Sequence, residues 1–268
     1  VLYQKTQERK NVLETKMNKN KFIILIPLYN VSKWVGLSLE LIKLQSYKNF
    51  ECVIVDDAST DDTYSIVESS IQDDSRFHLI RNKNNLGSSL GNMIQAFDYI
   101  QPDDEDIIIR LDGDDWLSSV FVLEYLDNIY NSTGCWLTYG TYQTYPSGQD
   151  GSHHCIDIPD DVHEDRAYRE WTHVYSHLRT HKAFLLKNVD RNDLKYTDGG
   201  DYFREAEDVA HMFPLIEMCG KDKIFCIKDI LLILNRENEN NVANKRLNKQ
   251  KETEALIRNK KVYEVLSR

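Results

Sequence analysis

The chain has no run of about 20 apolar residues, the length that a membrane-spanning helix needs. Nothing at its start has the charged, apolar and small-residue order of a secretory signal. Its five cysteines, at 52, 135, 155, 219 and 226, contain no C-x-x-C pair, which removes the usual thiol signatures for zinc and redox chemistry. Free, buried thiols in a reducing, cytoplasmic setting are expected instead. Positive charge is also short: 33 Lys and Arg stand against 43 Asp and Glu, for a net charge of −10. A general nucleic-acid binder would carry a basic footprint, so that class is disfavoured. No G-x-G-x-x-G follows the first apolar run, which leaves a nicotinamide dinucleotide fold without support. No internal repeat is visible.

What is present is a 268-residue chain with 41% hydrophobic and 28% charged residues, enough for one large α/β domain with a real core. Val1 to Lys16 is polar and lacks apolar periodicity. It is expected to be a linker, an added segment or the edge of a larger chain. From Met17 the pattern alternates. Phe22–Ile26 reads as a strand stopped by Pro27, and Ser32 is placed to cap a helix running to about Leu44. Phe50–Val55 reads as a second strand, with Ser59 and Asp62 spaced as a capping box for a helix to about Gln72. Phe77–Ile80 is a third strand. Ser88 or Ser89 opens a helix that carries Leu90, Met93, Ile94, Phe97 and Ile100 on one face. Strands alternating with helices predict a doubly wound, mostly parallel sheet.

The most informative stretch is Ile107-Ile108-Ile109-Arg110-Leu111-Asp112-Gly113-Asp114-Asp115. An apolar run of this kind is a strand buried on both faces, and ligands of open α/β sheets sit at the carboxyl ends of such strands. Three carboxylates gathered there repel one another and call for a cation. Oxygen ligands suit Mg²⁺ or Mn²⁺, which is held by one or two carboxylates together with substrate phosphates. A solvated acidic loop is the bland alternative.

The second half is less regular. A helix is expected after Ser118 to Tyr130, a strand over Trp136–Tyr142, a turn at Pro146-Ser147-Gly148 and a polar loop over about 150–168. A further helix is expected over Arg204–Cys219, kinked by Pro214 and ended by Gly220. Strands over Ile224–Ile227 and Ile230–Leu234 precede an Asn-rich loop at Asn235–Asn248. A C-terminal helix is expected from Lys249, with Leu256, Tyr263 and Leu266 on its apolar side. His173, His177 and His181 are four apart and would share a helix face able to bind zinc. His153, His154 and His163 crowd the same region. A structural or acceptor-lining role is favoured over metal for this group, and His181 and Arg179 are expected to come nearest the cleft.

Four motifs occur in order: Pro27-Leu28-Tyr29-Asn30, Val55-Asp56-Asp57-Ala58-Ser59-Thr60-Asp61, Asn85-Leu86-Gly87 with Gly91-Asn92, and Leu111-Asp112-Gly113-Asp114-Asp115. Together they resemble family 2 glycosyltransferases of the GT-A fold, strongly over about 21–130 and more loosely to about 240. The resemblance implies a nucleotide-sugar half (17–130), an acceptor-binding and catalytic half (131–248), and a C-terminal helix (249–268). It implies inverting transfer from a nucleotide-diphosphate sugar, in the first instance a UDP-sugar, of the hexosyl or N-acetylhexosaminyl class. The acceptor would be a glycan, a lipid-linked glycan or a protein, and an oligomer is open.

By the same resemblance Pro27, Tyr29 and Asp57 would hold the pyrimidine, with Asp56 adjacent as the other choice. Tyr29 either stacks on the base or covers the sheet end, and Asp57 either accepts from a ring N–H or favours the next helix N-terminus. Arg81 and Asn85 would enter the same cleft. Asp112 would lie nearest the ribose, and Asp114 or Asp115 would join it at the Mn²⁺ or Mg²⁺. Asp208, in Glu207-Asp208, matches the family's late catalytic base. Q-x-x-R-W is missing, so a processive synthase is not expected. The alternatives are a sugar nucleotidyltransferase, which usually carries a glycine-rich phosphate loop, and a non-catalytic module that binds a sugar nucleotide.

Overall fold

The computed structural model describes residues 20–171, 175–238 and 247–268. The segment before Met17, His173 and most of the Asn-rich loop lie outside them. Eight strands form one sheet in the order β3-β2-β1-β4-β7-β6-β8-β5. The first four are β1 (Phe22–Leu28), β2 (Phe50–Asp56), β3 (Phe77–Arg81) and β4 (Ile107–Arg110), all parallel. Their connections are α1 (Val35–Lys43), α2 (Thr63–Ile71) and α3 (Ser89–Ile100). This is the expected doubly wound half.

Alternation along these strands explains why the sheet is buried on both sides. Ile23, Leu25, Val53, Val55 and Ile108 pack on one face with α3 residues such as Met93 and Phe97. Phe22, Ile24, Cys52, Ile54, Ile107 and Ile109 pack on the other with Leu39 and Ile42 of α1 and Val67 of α2. Successive side chains of a strand point to opposite faces, so each apolar run feeds two cores.

β1 does not stop at Pro27 but runs on to Leu28 beside Asp56. The Leu25 carbonyl accepts from Leu111 on the β4 side. Pro27 faces that same side two residues later, beyond the end of β4 at Arg110, so its missing N–H removes no ladder bond.

Beyond β4 come β5 (Trp116–Leu117), α4 (Val122–Thr133), β6 (Leu137–Tyr145), α5 (Asp160–Glu164), β7 (Thr180–Lys182) and α6 (Ala183–Lys187). They are followed by α7 (Glu207–Cys219), β8 (Ile224–Asn235) and α8 (Leu247–Arg258). β7 is antiparallel to both β4 and β6, β5 is antiparallel to β8, and β6 is parallel to β8. The sheet is therefore mostly parallel, and each antiparallel pair includes a strand that follows β4.

Several local expectations are corrected. The 150–168 segment is not all loop, since a 3₁₀ turn at Ser152–His154 and α5 lie in it. The two strands expected after Gly220 are one, β8, with its register against β6 shifted between Tyr139 and Tyr142. Helix α7 begins at Glu207 rather than Arg204, because Ala206 takes a left-handed backbone with φ of 52°. The C-terminal helix stops at Arg258, leaving Leu256 exposed and Ile257 buried. Arg169 explains the stop: its guanidinium donates to the carbonyls of Ile257, Lys260 and Lys261. Tyr263 and Leu266 still reach the core, from an irregular tail.

Candidate active site

The carboxyl ends of β1, β2 and β4 open on one side of the sheet, and their loops are tied together. The Asn30 N–H donates to Ser59 Oγ, the Val31 N–H to Thr63 Oγ1, and the Ser32 N–H to Asp61 Oδ2. Ser59 is therefore spent on the neighbouring loop. The capping box expected from Ser59 and Asp62 does not form, and neither helix α1 nor α2 has a side-chain N-cap. Ser88 does cap α3, accepting from the Gly91 N–H at 3.0 Å.

The two aspartates that end β2 differ sharply. Asp57 Oδ1 accepts from Asn82 Nδ2 and the Leu86 N–H, both at 2.8 Å, and Oδ2 accepts from the Gly87 N–H at 3.0 Å. Its carboxylate thus shapes the loop between β3 and α3. Asp56 is fully buried, and its Oδ2 faces Arg81 Nε at 3.4 Å and the Ser59 N–H at 3.3 Å. Its Oδ1 is buried and has no hydrogen-bond partner among the described residues. A buried acceptor without a donor is costly, and it is the kind of group that a ligand N–H satisfies. Arg81 also lies 4.3 Å over the Tyr64 ring, Asn85 Nδ2 donates to the Asp57 carbonyl, and Tyr29 is 45% exposed.

At the end of β4 the Asp112-Gly113-Asp114 turn is pressed onto β1. A Cβ on Gly113 would lie 1.9 Å from Leu28 Cδ2. Asp112 keeps about a third of its side chain exposed and faces Arg110 Nε at 3.6 Å. Burial pushes its carboxyl up, but Arg110, His177 and Arg179 outweigh that and hold it below the usual range. Asp114 Oδ2 accepts from Asn238 Nδ2 at 2.7 Å, and burial raises its carboxyl. Asp115 is turned inward: it is 2% exposed and accepts from the Asn235 N–H at 2.8 Å, fixing the end of β8. Asp115 therefore does not share the position of Asp112 and Asp114. Among the described residues no three His, Cys, Asp or Glu side chains are gathered to hold a metal. Two oxygen ligands on one short turn still fit a hard cation that takes its remaining ligands from phosphate and water.

Across from this turn lies the start of α7. Glu207 and Asp208 have separate partners. Glu207 accepts from the Ser89 and Leu90 N–H groups, each at 3.0 Å, and from Arg110 Nη2 at 3.2 Å. Desolvation pushes its carboxyl up to about 7 against the pull of Arg110. Asp208 instead meets Arg179, whose Nη2 is 3.4 Å from Oδ2 and whose Nε donates to the Tyr175 carbonyl. Arg110, His177 and Arg179 each feel the charge of both Asp112 and Asp208. Asp208 also lines a cavity of about 420 Å³ with Glu170, Trp171, Val209, Gln250, Glu254 and Arg258.

The histidine helix is not there. His177 lies in a bend and His181 in β7. His181 Nδ1 lies 2.9 Å from the Lys182 carbonyl and its Nε2 lies 3.2 Å from His211 Nε2, so Arg179 reaches the cleft while His181 serves the core. Sequence reasoning gave no site role to Arg110 or Ser89, and it placed Glu207 beside Asp208 without its tie to α3 and Arg110. The charged end of an otherwise apolar strand, Arg110, was the available signal.

The chain is similar to known proteins in sequence and in fold. The family profile of Glycosyl transferase family 2 matches residues 23–191. The chain belongs to glycosyl transferase family 2. It is 25% identical over 221 residues to the glycosyltransferase GlyG of Streptococcus pneumoniae, a match covering 80% of this chain and 70% of GlyG. A teichoic acid poly(glycerol phosphate) polymerase of Staphylococcus epidermidis is 30% identical over 43% of this chain and 16% of its own length. Among solved structures, S. aureus TarS 1–349 in complex with UDP-GlcNAc superposes with a TM-score of 0.62 at 18% identity, over 88% of this chain and 65% of that one. A mannosyltransferase of Pyrobaculum calidifontis in complex with GDP-Man and Mn²⁺ gives 0.53 at 18% identity, over 81% and 57%. The fold is thus GT-A. The chain spans less than two thirds of several of these relatives. Among the described residues no helix is long and apolar enough to cross a membrane.

Proposed function

We propose that this glycosyltransferase transfers a hexosyl or N-acetylhexosaminyl group from a UDP-sugar to an acceptor hydroxyl, with inversion, with metal assistance and without processivity. The observation that carries the proposal is the pairing of two acidic centres, Asp112-Gly113-Asp114 in the turn after β4 and Asp208 on α7, around the shared cations Arg110 and Arg179. One centre suits a diphosphate and its counter-ion. The other suits proton transfer.

In this mechanism the base is bound at the ends of β1 and β2. Asp56, with its unpartnered Oδ1, takes the ring N–H, in place of the Asp57 contact expected from the sequence. Asp57 keeps the loop that carries Asn85 in position. Tyr29 and Pro27 cover the base, and Arg81, mostly drawn over Tyr64, closes beside it. Asp112 and Asp114 would hold Mn²⁺ or Mg²⁺ together with the donor diphosphate. Bound there, the ion supplies positive charge to the departing diphosphate. Asp208 accepts the acceptor hydroxyl's proton as the new bond forms, and Arg179 keeps that carboxylate oriented. The acceptor approaches through the cavity beside Asp208, where the Trp171 ring and the polar groups of Glu170, Gln250 and Glu254 suit a hydroxyl-rich ligand.

The test is a panel of nucleotide sugars with and without Mn²⁺, read by thermal shift and by nucleoside diphosphate release. A donor at a hundred times its Kd stabilises the protein by about 2.7 kcal/mol. Release of nucleoside diphosphate supports transfer. Conversion of the nucleotide sugar and added pyrophosphate to a nucleoside triphosphate and a sugar 1-phosphate indicates a nucleotidyltransferase, and binding with no reaction indicates a non-catalytic module.

A further inference from the structure

Away from this cleft, the loop after β6 and the strand β8 bring two cysteines together. Cys155 Sγ lies 3.1 Å from Cys226 Sγ, about 1 Å more than bonded sulfurs. Cys155 is 6% exposed, whereas Cys226 is half-buried and open to small solutes. The shifted register of β8 against β6 begins beside Cys226, whose partner in the ladder is Tyr139. In that irregular stretch the Ile227 carbonyl oxygen lies 3.2 Å from Cys155 Sγ. Lys228 Nζ lies 3.2 Å from Cys226 Sγ and also donates to the Cys155 carbonyl, with Asp157 at 2.9 Å on its far side.

We propose that Cys155 and Cys226 form a dithiol that hydrogen peroxide oxidises reversibly to a disulfide. The geometry assigns the roles. Cys226, accessible and next to an ammonium, is the attacking sulfur. Cys155, buried behind it, is the resolving one. The Cys226 thiol is held low, at about 7, by the Cys155 hydrogen bond first and then by Lys228. The Cys226 thiolate attacks one peroxide oxygen, the O–O bond breaks, and the second oxygen leaves as hydroxide and takes up a proton to become water. Cys155 then attacks the sulfenic sulfur. The S–S bond forms, the S–O bond breaks, and the departing hydroxide takes the Cys155 proton as a second water. Two thiols are oxidised by two electrons in total, and one peroxide is reduced. The bond would fasten the loop carrying Cys155 to β8.

The experiment treats the full reduced chain with hydrogen peroxide, blocks remaining thiols with N-ethylmaleimide and maps non-reduced peptides by mass spectrometry. The expected product is a linked pair of peptides carrying Cys155 and Cys226, lighter by two hydrogens and separated again by dithiothreitol. Cys226→Ser should give none of it. In Lys228→Met, whose partner Asp157 is on the surface, alkylation of Cys226 at neutral pH should slow roughly tenfold. Cys226 ending as sulfinic acid while Cys155 remains alkylatable would overturn the proposal. So would unchanged Cys226 reactivity in Lys228→Met.

Discussion

Glu207 and Asp208 are consecutive, yet their carboxylates serve different partners. Glu207 bonds the first N–H groups of α3 and Arg110, and Asp208 pairs with Arg179. Glu207 fastens α7 to α3 and to Arg110, and Asp208 is the carboxylate that we propose as the base. Glu207→Ala leaves the Arg110 guanidinium, 8% exposed, without its closest carboxylate. Breaking a buried pair on one side typically costs about 3–5 kcal/mol. Glu207→Gln keeps an acceptor and should lose less than half as much, measured by urea denaturation. Equal stability of both variants with the wild type would show that Glu207 holds nothing.

Asp56 and Asp57 should separate binding from stability. Asp56→Asn should weaken UDP-sugar binding by about 1.5–3 kcal/mol, the range for a hydrogen bond to a charged group, while melting near the wild type. Asp57→Ala frees the N–H groups of Leu86 and Gly87 and should cost about 1–3 kcal/mol of stability. Calorimetric titration and thermal unfolding of both variants decide it. Normal binding by Asp56→Asn with lost binding by a well-folded Asp57→Ala would return the base contact to Asp57.

Much of this was legible in the sequence, and the reasons differ by element. Apart from Glu51, Asp56 and Arg110, β1, β2 and β4 are apolar because both faces are covered, and such runs are hard to mistake. Alternation also bears on Asp56 and Asp57: Val53 and Val55 lie on the face of α3, so Asp57 continues toward α3 and its loop, and Asp56 follows Cys52 and Ile54 to the other face. The histidines misled because a spacing of four means one face only on a helix, and 175–182 holds a bend and the strand β7 but no helix. The Arg110–Glu207 pair joins residues 97 apart, which no local pattern encodes. The C-terminal helix overran because Arg169, far off in sequence, takes its last carbonyls.

The two remaining acidic positions of the β4 turn should also differ. Asp114→Ala should remove the Mn²⁺-dependent part of UDP-sugar affinity with little change in melting temperature. Asp115→Ala should chiefly destabilise, by about 1–3 kcal/mol, because the Asn235 N–H loses its acceptor. Titration with Mn²⁺ and with chelator reads the first, and denaturation reads the second. A stable Asp115→Ala that no longer responds to Mn²⁺ would reverse the assignment.

Acid should weaken the fold through the His181–His211 pair. Burial holds His181 down to about 4 and His211 well below its ordinary 6.5. A histidine depressed in the folded state leaves the unfolded chain binding more protons, so stability rises with pH through this window. It is fully present above about 6.5 and falls as pH drops from there toward 4. For His181 alone the loss by pH 4 is on the order of 2–3 kcal/mol. Urea midpoints between pH 7 and 4 should show that slope, and it should flatten in a His181→Gln, His211→Gln variant that still folds.

The most direct measurement is donor affinity and transfer rate, side by side, for Asp208→Asn. The substitution keeps the shape and an acceptor for Arg179 but removes the proton acceptor. UDP-sugar and Mn²⁺ affinity should stay within about twofold, and sugar transfer should fall at least about a hundredfold, as general-base loss does. Transfer at the wild-type rate would remove Asp208 from the chemistry. Loss of donor binding in place of transfer would mean that the α7 carboxylate belongs to the nucleotide site, and the division between Glu207 and Asp208 would not hold.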